Sequence, residues 1–169
     1  MPVTLTPGQG VFLHGFRGAR RSLTWADVRD TPTIDFKQLQ RANLPLGTIH
    51  YLQPDIVEWV KAEKMTLADC LTVSPVWGAH PIRHFGADLG DLVSSHWTAD
   101  QLVRMGVRYQ DLLDVGLTPD NMRLFTNITL SGWCALGLTK EHAGKFTDAQ
   151  TGRLFSMPRQ EVMRALRSE

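Results

Sequence analysis

Apolar residues recur along this chain about every ten positions, and the same polar punctuation frames each recurrence. The pattern is clearest after Thr98, where A-D-Q-L-V-R-M-G-V-R runs directly into Y-Q-D-L-L-D-V-G-L-T. Both units place leucine fourth (Leu102, Leu112), glycine eighth (Gly106, Gly116) and an aliphatic residue ninth (Val107, Leu117). Thr98 and Thr118 each stand just before a new unit. Glycine suits the left-handed residue that ends a helix. Threonine suits the N-cap, where its hydroxyl accepts a hydrogen bond from an orphan amide. Thr98 and Gln101 have capping-box spacing, and Pro119 stands where the first helical residue would be. Each unit therefore predicts about two turns of helix, a stop, one buried residue and a new cap. Helices that short are unstable alone and must be held by their neighbours.

The register runs from Thr24 to about residue 147. Its fourth places are Val28, Leu39, Ile49, Val60, Cys70, Ile82, Leu92, Leu102, Leu112, Met122, Trp133 and Ala143, all apolar. Two residues before each following unit stand Ile34, Leu44, Asp55, Met65, Trp77, Ala87, Trp97, Val107, Leu117, Ile128 and Leu138, of which only Asp55 is polar. The cap places hold Thr24, Asp35, Pro45, Ile56, Thr66, Gly78, Asp88, Thr98, Arg108, Thr118, Thr129 and Thr139, mostly strong N-cap residues. Asn43, Gly86, Gly106, Gly116, Asn127 and Gly137 fall at helix stops and tolerate positive φ. Three chemically different requirements thus share one period. Two places break it. Gln53-Pro54-Asp55-Ile56 lacks a glycine stop, and Ser74-Pro75-Val76-Trp77-Gly78 adds two residues, which predicts a kink or a wider loop.

The fold class that follows is all-α: a solenoid-like array of short helices with a ten-to-eleven-residue repeat over residues 24–147. Residues 1–23 read as an extended basic arm, because Pro2, Pro7, Gly8, Gly10, Gly15 and Gly18 break any helix. Within it Val11-Phe12-Leu13 reads as a short strand or an apolar anchor. The arm either packs over the end of the array or docks on another subunit. Residues 148–157 read as a loop. Pro158 then opens a final amphipathic helix with Val162, Met163 and Leu166 on one side.

The chain has 169 residues, 43% of them hydrophobic and 21% charged, with a net charge of +1. No apolar run approaches a membrane span, and the N-terminus has neither the charged nor the apolar region of a signal peptide. The charge is uneven. Residues 1–22 carry Arg17, Arg20 and Arg21 and no acid, while the repeat interleaves Arg104, Arg108 and Arg123 with Asp100, Asp111, Asp114 and Asp120. The repeat is a mixed, solvated face, which argues against nucleic-acid binding by the body. Only the basic ends keep that reading open. Phe12, Phe16, Arg17, Arg20 and Arg21 are the candidate partner contacts of the arm. Trp25 and Trp59, at first and third places, are expected to be exposed and to join them. Trp77, Trp97 and Trp133 occupy core places.

No catalytic set stands out. Gly8-Gln9-Gly10 has no following G-K-[ST], and there is no H-E-x-x-H. His80 and His84 are four apart, with His96 twelve further on, but no third ligand has motif spacing, so all three read as incidental surface residues. Ser94, Ser95 and His96 lack a positioned acid. Cys70 and Cys134 read as buried thiols inside helices. No cofactor, metal or small-molecule substrate is expected, and an enzyme is the least favoured class.

The runs L-V-R-M-G-V-R-Y-Q-D-L-L-D-V-G-L-T and W-C-A-L-G-L-T-K-E-H resemble short Leu-x-x-x-Gly-hydrophobic-Thr helical repeats in proteins of nucleocytoplasmic large DNA viruses. The resemblance covers residues 79–147 and, more loosely, 24–78. It implies a virion structural protein, such as a minor capsid component beneath or between the major capsid units, found in the virion or in the cytoplasm of the producing cell. It carries no functional residue with it. The expected function is a non-enzymatic cement protein that contacts other proteins of a large assembly, the major capsid protein among them. The alternative is a soluble adaptor that binds a host or regulatory protein through the solenoid surface. Nucleic-acid binding through the basic ends ranks third.

Overall fold

The computed structural model describes residues 4–6, 12–14 and 20–166. The fold is one of many short helices packed against each other, and it divides into two compact units, Met1–Ala79 and His80–Glu169.

The first unit opens with three short strands, β1 (Thr4–Thr6), β2 (Phe12–His14) and β3 (Arg20–Ser22). They pair antiparallel in the order β1-β2-β3, with Leu5 opposite Leu13 and Leu13 opposite Arg21. The described residues of the expected extended arm therefore pair with one another, and the strand read at Phe12 is one of the three. Helices α1 (Trp25–Asp30), α2 (Phe36–Arg41), α3 (Leu46–Leu52), α4 (Ile56–Lys61) and α5 (Leu67–Trp77) follow. The second unit holds α6 (Pro81–Phe85), α7 (Leu89–Ser94), α8 (Ala99–Arg104) and α9 (Tyr109–Asp114). After a 3-10 turn at Met122–Leu124 come α10 (Leu130–Leu136), α11 (Lys140–Gly144), α12 (Asp148–Phe155) and α13 (Arg159–Ala165).

One local rule builds most of these elements. A side chain at the cap accepts an amide hydrogen bond, and the fourth residue after the cap is buried. Thr24, Asp35, Asp55, Thr66, Asp88, Thr98, Thr129, Thr139 and Thr147 all cap in this way. Val28, Leu39, Trp59, Cys70, Leu92, Leu102, Trp133, Ala143 and Thr151 are the buried residues that result. The stop is coupled to the same residue. The amides of Leu44, Lys64, Val107, Leu117 and Leu138 donate back to the carbonyls of Leu39, Trp59, Leu102, Leu112 and Trp133 at 2.9–3.3 Å. This bond closes each helix around a left-handed residue and turns the ninth-place side chain into the core.

The structure corrects the expected register in several places. The fourth helix is capped by Asp55, whose carboxylate accepts from the Val57 amide at 2.9 Å, and not by Ile56. That one-residue shift buries Trp59 and leaves Val60 37% exposed. Gly78 is no cap. It is the left-handed stop of α5, an eleven-residue helix that absorbs Pro75 where a kink or wider loop is expected. Ser74 Oγ donates to the Cys70 carbonyl at 2.6 Å inside that helix, just before the proline that has no amide to give. Thr118-Pro119 opens a turn that tightens into a 3-10 segment rather than an α-helix, and this draws Phe125 in against Trp133, 5.6 Å between ring centroids. Asn127 does not take positive φ, whereas Glu63, His96 and Ser156 do. The repeat also continues past residue 147. Residues 148–155 form α12, capped by Thr147 and Gln150, where a loop is expected. The final helix lies where expected, with Val162 and Leu166 buried.

Contacts between helices recur at a second, longer period. The hydrogen bonds Lys64 to Thr31, Trp77 to Leu46, His80 and Arg83 to Asp111, Asn127 to His96 and Gln150 to Asp120 span 28–33 residues. Within each unit, then, a repeat touches the third repeat after it.

The closest such contact is α8 on α10. A Cβ built on Gly132 would stand 2.8 Å from the Ala99 Cβ and 3.0 Å from Ile128 Cγ2. Gly132→Ala should therefore destabilise the fold by about 1–2 kcal/mol despite alanine's higher helix propensity. Gly152→Ala, where the added carbon meets nothing within 4 Å, should stabilise it by up to ~1 kcal/mol. Urea titrations of the two variants check the contrast. A neutral Gly132→Ala would mean that α8 and α10 are not in contact.

Candidate protein-contact surfaces

The candidate contacts of the arm are distributed as follows. Phe12 lies in β2 and Arg20 in β3. Phe16 and Arg17 lie outside the described residues. Arg21 is exposed and donates from both terminal guanidinium nitrogens to Asp27, at 2.7 and 2.6 Å. Asp27 is also the third residue of α1 and accepts from the amide and hydroxyl of Thr24. The Arg21 hydrogen bonds, against the opposing effect of burial and with help from Thr24, hold the Asp27 carboxyl well below the usual carboxylate range. Arg21 thus ties the last strand to the first helix.

Trp25 and Trp59 come together, but beneath the surface. Their ring centroids are 4.6 Å apart, edge on. Trp25 is half-buried and Trp59 is fully buried, which corrects the expectation that both are exposed. Trp59 Nε1 donates to the Gln53 carbonyl at 2.8 Å, and its ring meets Phe36 and Trp77 at 6.5 and 6.3 Å. Trp77 is half-buried, donates to the Leu46 carbonyl and stacks on His50 at 4.8 Å. Four aromatic rings thus cluster in the first unit around the buried Phe36 and Trp59, and Trp59 cannot reach a partner without unfolding it.

Carboxylates at the third helical position do double duty. Asp69, 3% exposed, accepts from the Thr66 amide and also receives Lys37 Nζ at 2.9 Å from α2. Burial opposes its charge, but the hydrogen bonds from Lys37 and Thr66 outweigh that and lower its pKa. Asp111 accepts from the Arg108 amide at 2.8 Å, Arg83 at 3.1 Å and His80 Nε2 at 3.3 Å. Its pKa is likewise lowered, the amide, His80 and Arg83 together overcoming burial.

His80 is the site residue that sequence reasoning misplaced. It is buried, not on the surface, and it caps α6 through Nδ1, which accepts from the Arg83 amide. That leaves the proton on Nε2, facing Asp111. Its own amide donates to His84 Nδ1. With both ring nitrogens committed, His80 has no lone pair to offer as a base or a ligand. The available signal was Pro81, which marks the first helical residue and makes His80 the cap. Cys70 is similarly inert: burial, then the neighbouring Asp69, pushes its thiol up to about 11. Among the described residues, no group of three His, Cys, Asp or Glu is placed to hold a metal ion. No described helix is long and apolar enough to cross a membrane.

What the repeat leaves outside is apolar in places. Tyr51 is 92% exposed, Val76 60%, Leu124 49% and Leu67 45%. The second unit also carries a groove of about 770 Å³ lined by Leu130, Cys134 and Ala135 of α10, with Phe155, Met157 and Ala165 opposite. Comparison with protein-family models, with curated proteins and with solved structures finds no match to this chain.

Proposed function

We propose that this chain is a non-enzymatic structural protein, a minor capsid or cement component of a large viral particle, whose short helices stack as a solenoid-like array. Its partners are other proteins of that particle, the major capsid protein among them. The observation that supports this reading is the set of large apolar side chains, Tyr51 and Val76 foremost, that the short helices hold out at the surface. Exposed aromatic and aliphatic side chains on a rigid scaffold suit contact with protein. Against the alternative adaptor reading, Trp59 is buried and Trp25 half-buried, so the two do not offer an exposed tryptophan patch to a partner.

The test is the native mass of the particle that contains this chain, taken from its source with the co-purifying proteins identified. A very large assembly at a fixed ratio to one abundant protein is expected. Elution as a monomer, or with one modest partner, would select the adaptor. Deleting residues 1–22 should leave the helical circular dichroism intact and abolish incorporation. If that truncated chain unfolds, the N-terminal segment is part of the fold and not a docking element.

A further inference from the structure

Each capping box among the described residues returns a bond from the third helical side chain to the amide of the cap. The acceptor is a carboxylate at Asp27, Asp69, Asp91 and Asp111, and a carboxamide at Gln101 and Gln150. At Thr139 it is an imidazole. His142 Nδ1 accepts from the Thr139 amide at 3.1 Å, and the Thr139 hydroxyl accepts from the His142 amide at 3.4 Å. These acceptors differ in when a proton removes them. A carboxamide does not titrate, and a carboxylate holds out to about pH 4, but an imidazole gains its proton near pH 6.5. The box at Thr139 is therefore the one that mild acid can open.

The sign follows from the contacts of the ring. A nitrogen that accepts an amide hydrogen bond carries no proton, so His142 is the neutral tautomer with its proton on Nε2. Protonation adds an N–H at Nδ1. That N–H can turn to the Thr139 hydroxyl, 3.0 Å away, but the part-buried Thr139 amide then faces a donor and loses its acceptor. The groups packed on α11 do not restore it. Tyr109 of α9 lies tilted against the ring, 4.7 Å between centroids, and is uncharged, since burial pushes its hydroxyl up to about 12. Lys140 and Glu141 belong to the same helix, and α13 brings Arg159 to the Gly144 carbonyl at 2.8 Å. Among the described residues the histidine that pairs with a carboxylate is His80, where Asp111 favours a cation and offsets the loss of a similar cap bond. His50 donates to the Pro54 carbonyl, a bond that protonation leaves intact. His84 accepts the His80 amide but is exposed, so water can replace it.

We infer that His142 is a proton-sensitive latch on the C-terminal repeats: neutral, it closes α11 against α9, and protonated in mild acid it lets α11 open and uncover Ala143 and Phe146. Those two side chains are otherwise buried. Helix α13 packs on α11, so its hold loosens with it. The chain thus carries an apolar surface that is available only on the acid side of neutrality, whatever assembly it joins. The linkage runs in one direction. The opened segment takes up a proton that the closed box excludes, so the closure of α11 is complete above about pH 6.5 and weakens below it, by at most about tenfold per pH unit for one proton.

The experiment is amide hydrogen exchange followed by NMR on the purified full-length chain, with protection factors corrected for the intrinsic pH dependence of exchange. Between pH 7.5 and 5.5 the protection of residues 139–146 should fall several-fold, with about tenfold as the limit for one proton. The Thr139 amide resonance should move together with the titration of the His142 ring. His142→Gln supplies the acceptor that Gln101 and Gln150 supply in their boxes, so its protection over residues 139–146 should stay flat across the same interval. Constant protection in the parent chain overturns the latch, and so does a loss of the same size in His142→Gln. If that variant does not fold, the parent decides alone: a ring that titrates without moving the Thr139 amide overturns the latch, and joint movement supports it.

Discussion

Replacing Trp59 with alanine should lower stability by about 3–5 kcal/mol, while Val60→Ala should change it by roughly 0.5 kcal/mol or less. The ten-residue count alone ranks them the other way, because it places Val60 at the buried fourth position. The cap decides. Asp55 accepts from the Val57 amide, so the fourth residue after it is Trp59, with no exposed surface, while Val60 turns outward. Truncating Trp59 removes the ring that Trp25, Phe36 and Trp77 pack against and leaves the Gln53 carbonyl without its indole donor. Urea unfolding followed by far-UV circular dichroism measures both variants without relying on the lost fluorophore. A larger loss for Val60→Ala would restore Ile56 as the cap and put the register of α4 in error.

Asp69→Ala should cost about 2–3 kcal/mol, and Asp69→Asn roughly half that. The carboxylate holds the start of α5 through Thr66 and receives Lys37 from α2, so its removal frees a helix terminus and a cross-repeat tie together. Asparagine keeps an oxygen for the Thr66 amide and loses the ion pair. The same group gives a pH signature. Its folded pKa is lowered, so its contribution is complete above the ordinary carboxylate value of about 3.9 and is lost as pH falls through the lower folded value. Asp27 and Asp111 share the direction. The parent chain should therefore lose stability on acidification below that value, and Asp69→Asn should lose less over the same interval. Parallel acid slopes in the two proteins would show that Asp69 is not held ionised by the fold.

Much of the local architecture was legible because it is written in short-range chemistry. Thr98 and Gln101 form the capping box their spacing announces, with the Thr98 amide on Gln101 at 2.9 Å. Gly106, Gly116 and Gly137 take the left-handed conformation that closes their helices. Where reading by period failed, a stronger local signal was present. Asp55 is a better cap than Ile56, Pro81 points to His80, and the Thr147–Gln150 spacing announces α12 as plainly as Thr98–Gln101 announces α8. Glu63 and His96 had no such signal, since neither residue type marks a left-handed stop.

The sequence by itself determined the unit: a cap, a buried fourth residue, a stop and a buried ninth residue. All four are satisfied within about ten residues by hydrogen bonds between near neighbours. Only the tertiary structure decided which repeats meet. The 28–33-residue ties join side chains such as Lys37 and Asp69, or His80 and Asp111, whose types are common on any helix surface and whose partners depend on which helices pack together. That choice is set by the packing of buried side chains such as Trp59, and by close approaches such as that of Gly132 to Ala99, a property of the assembled core that no ten-residue window contains.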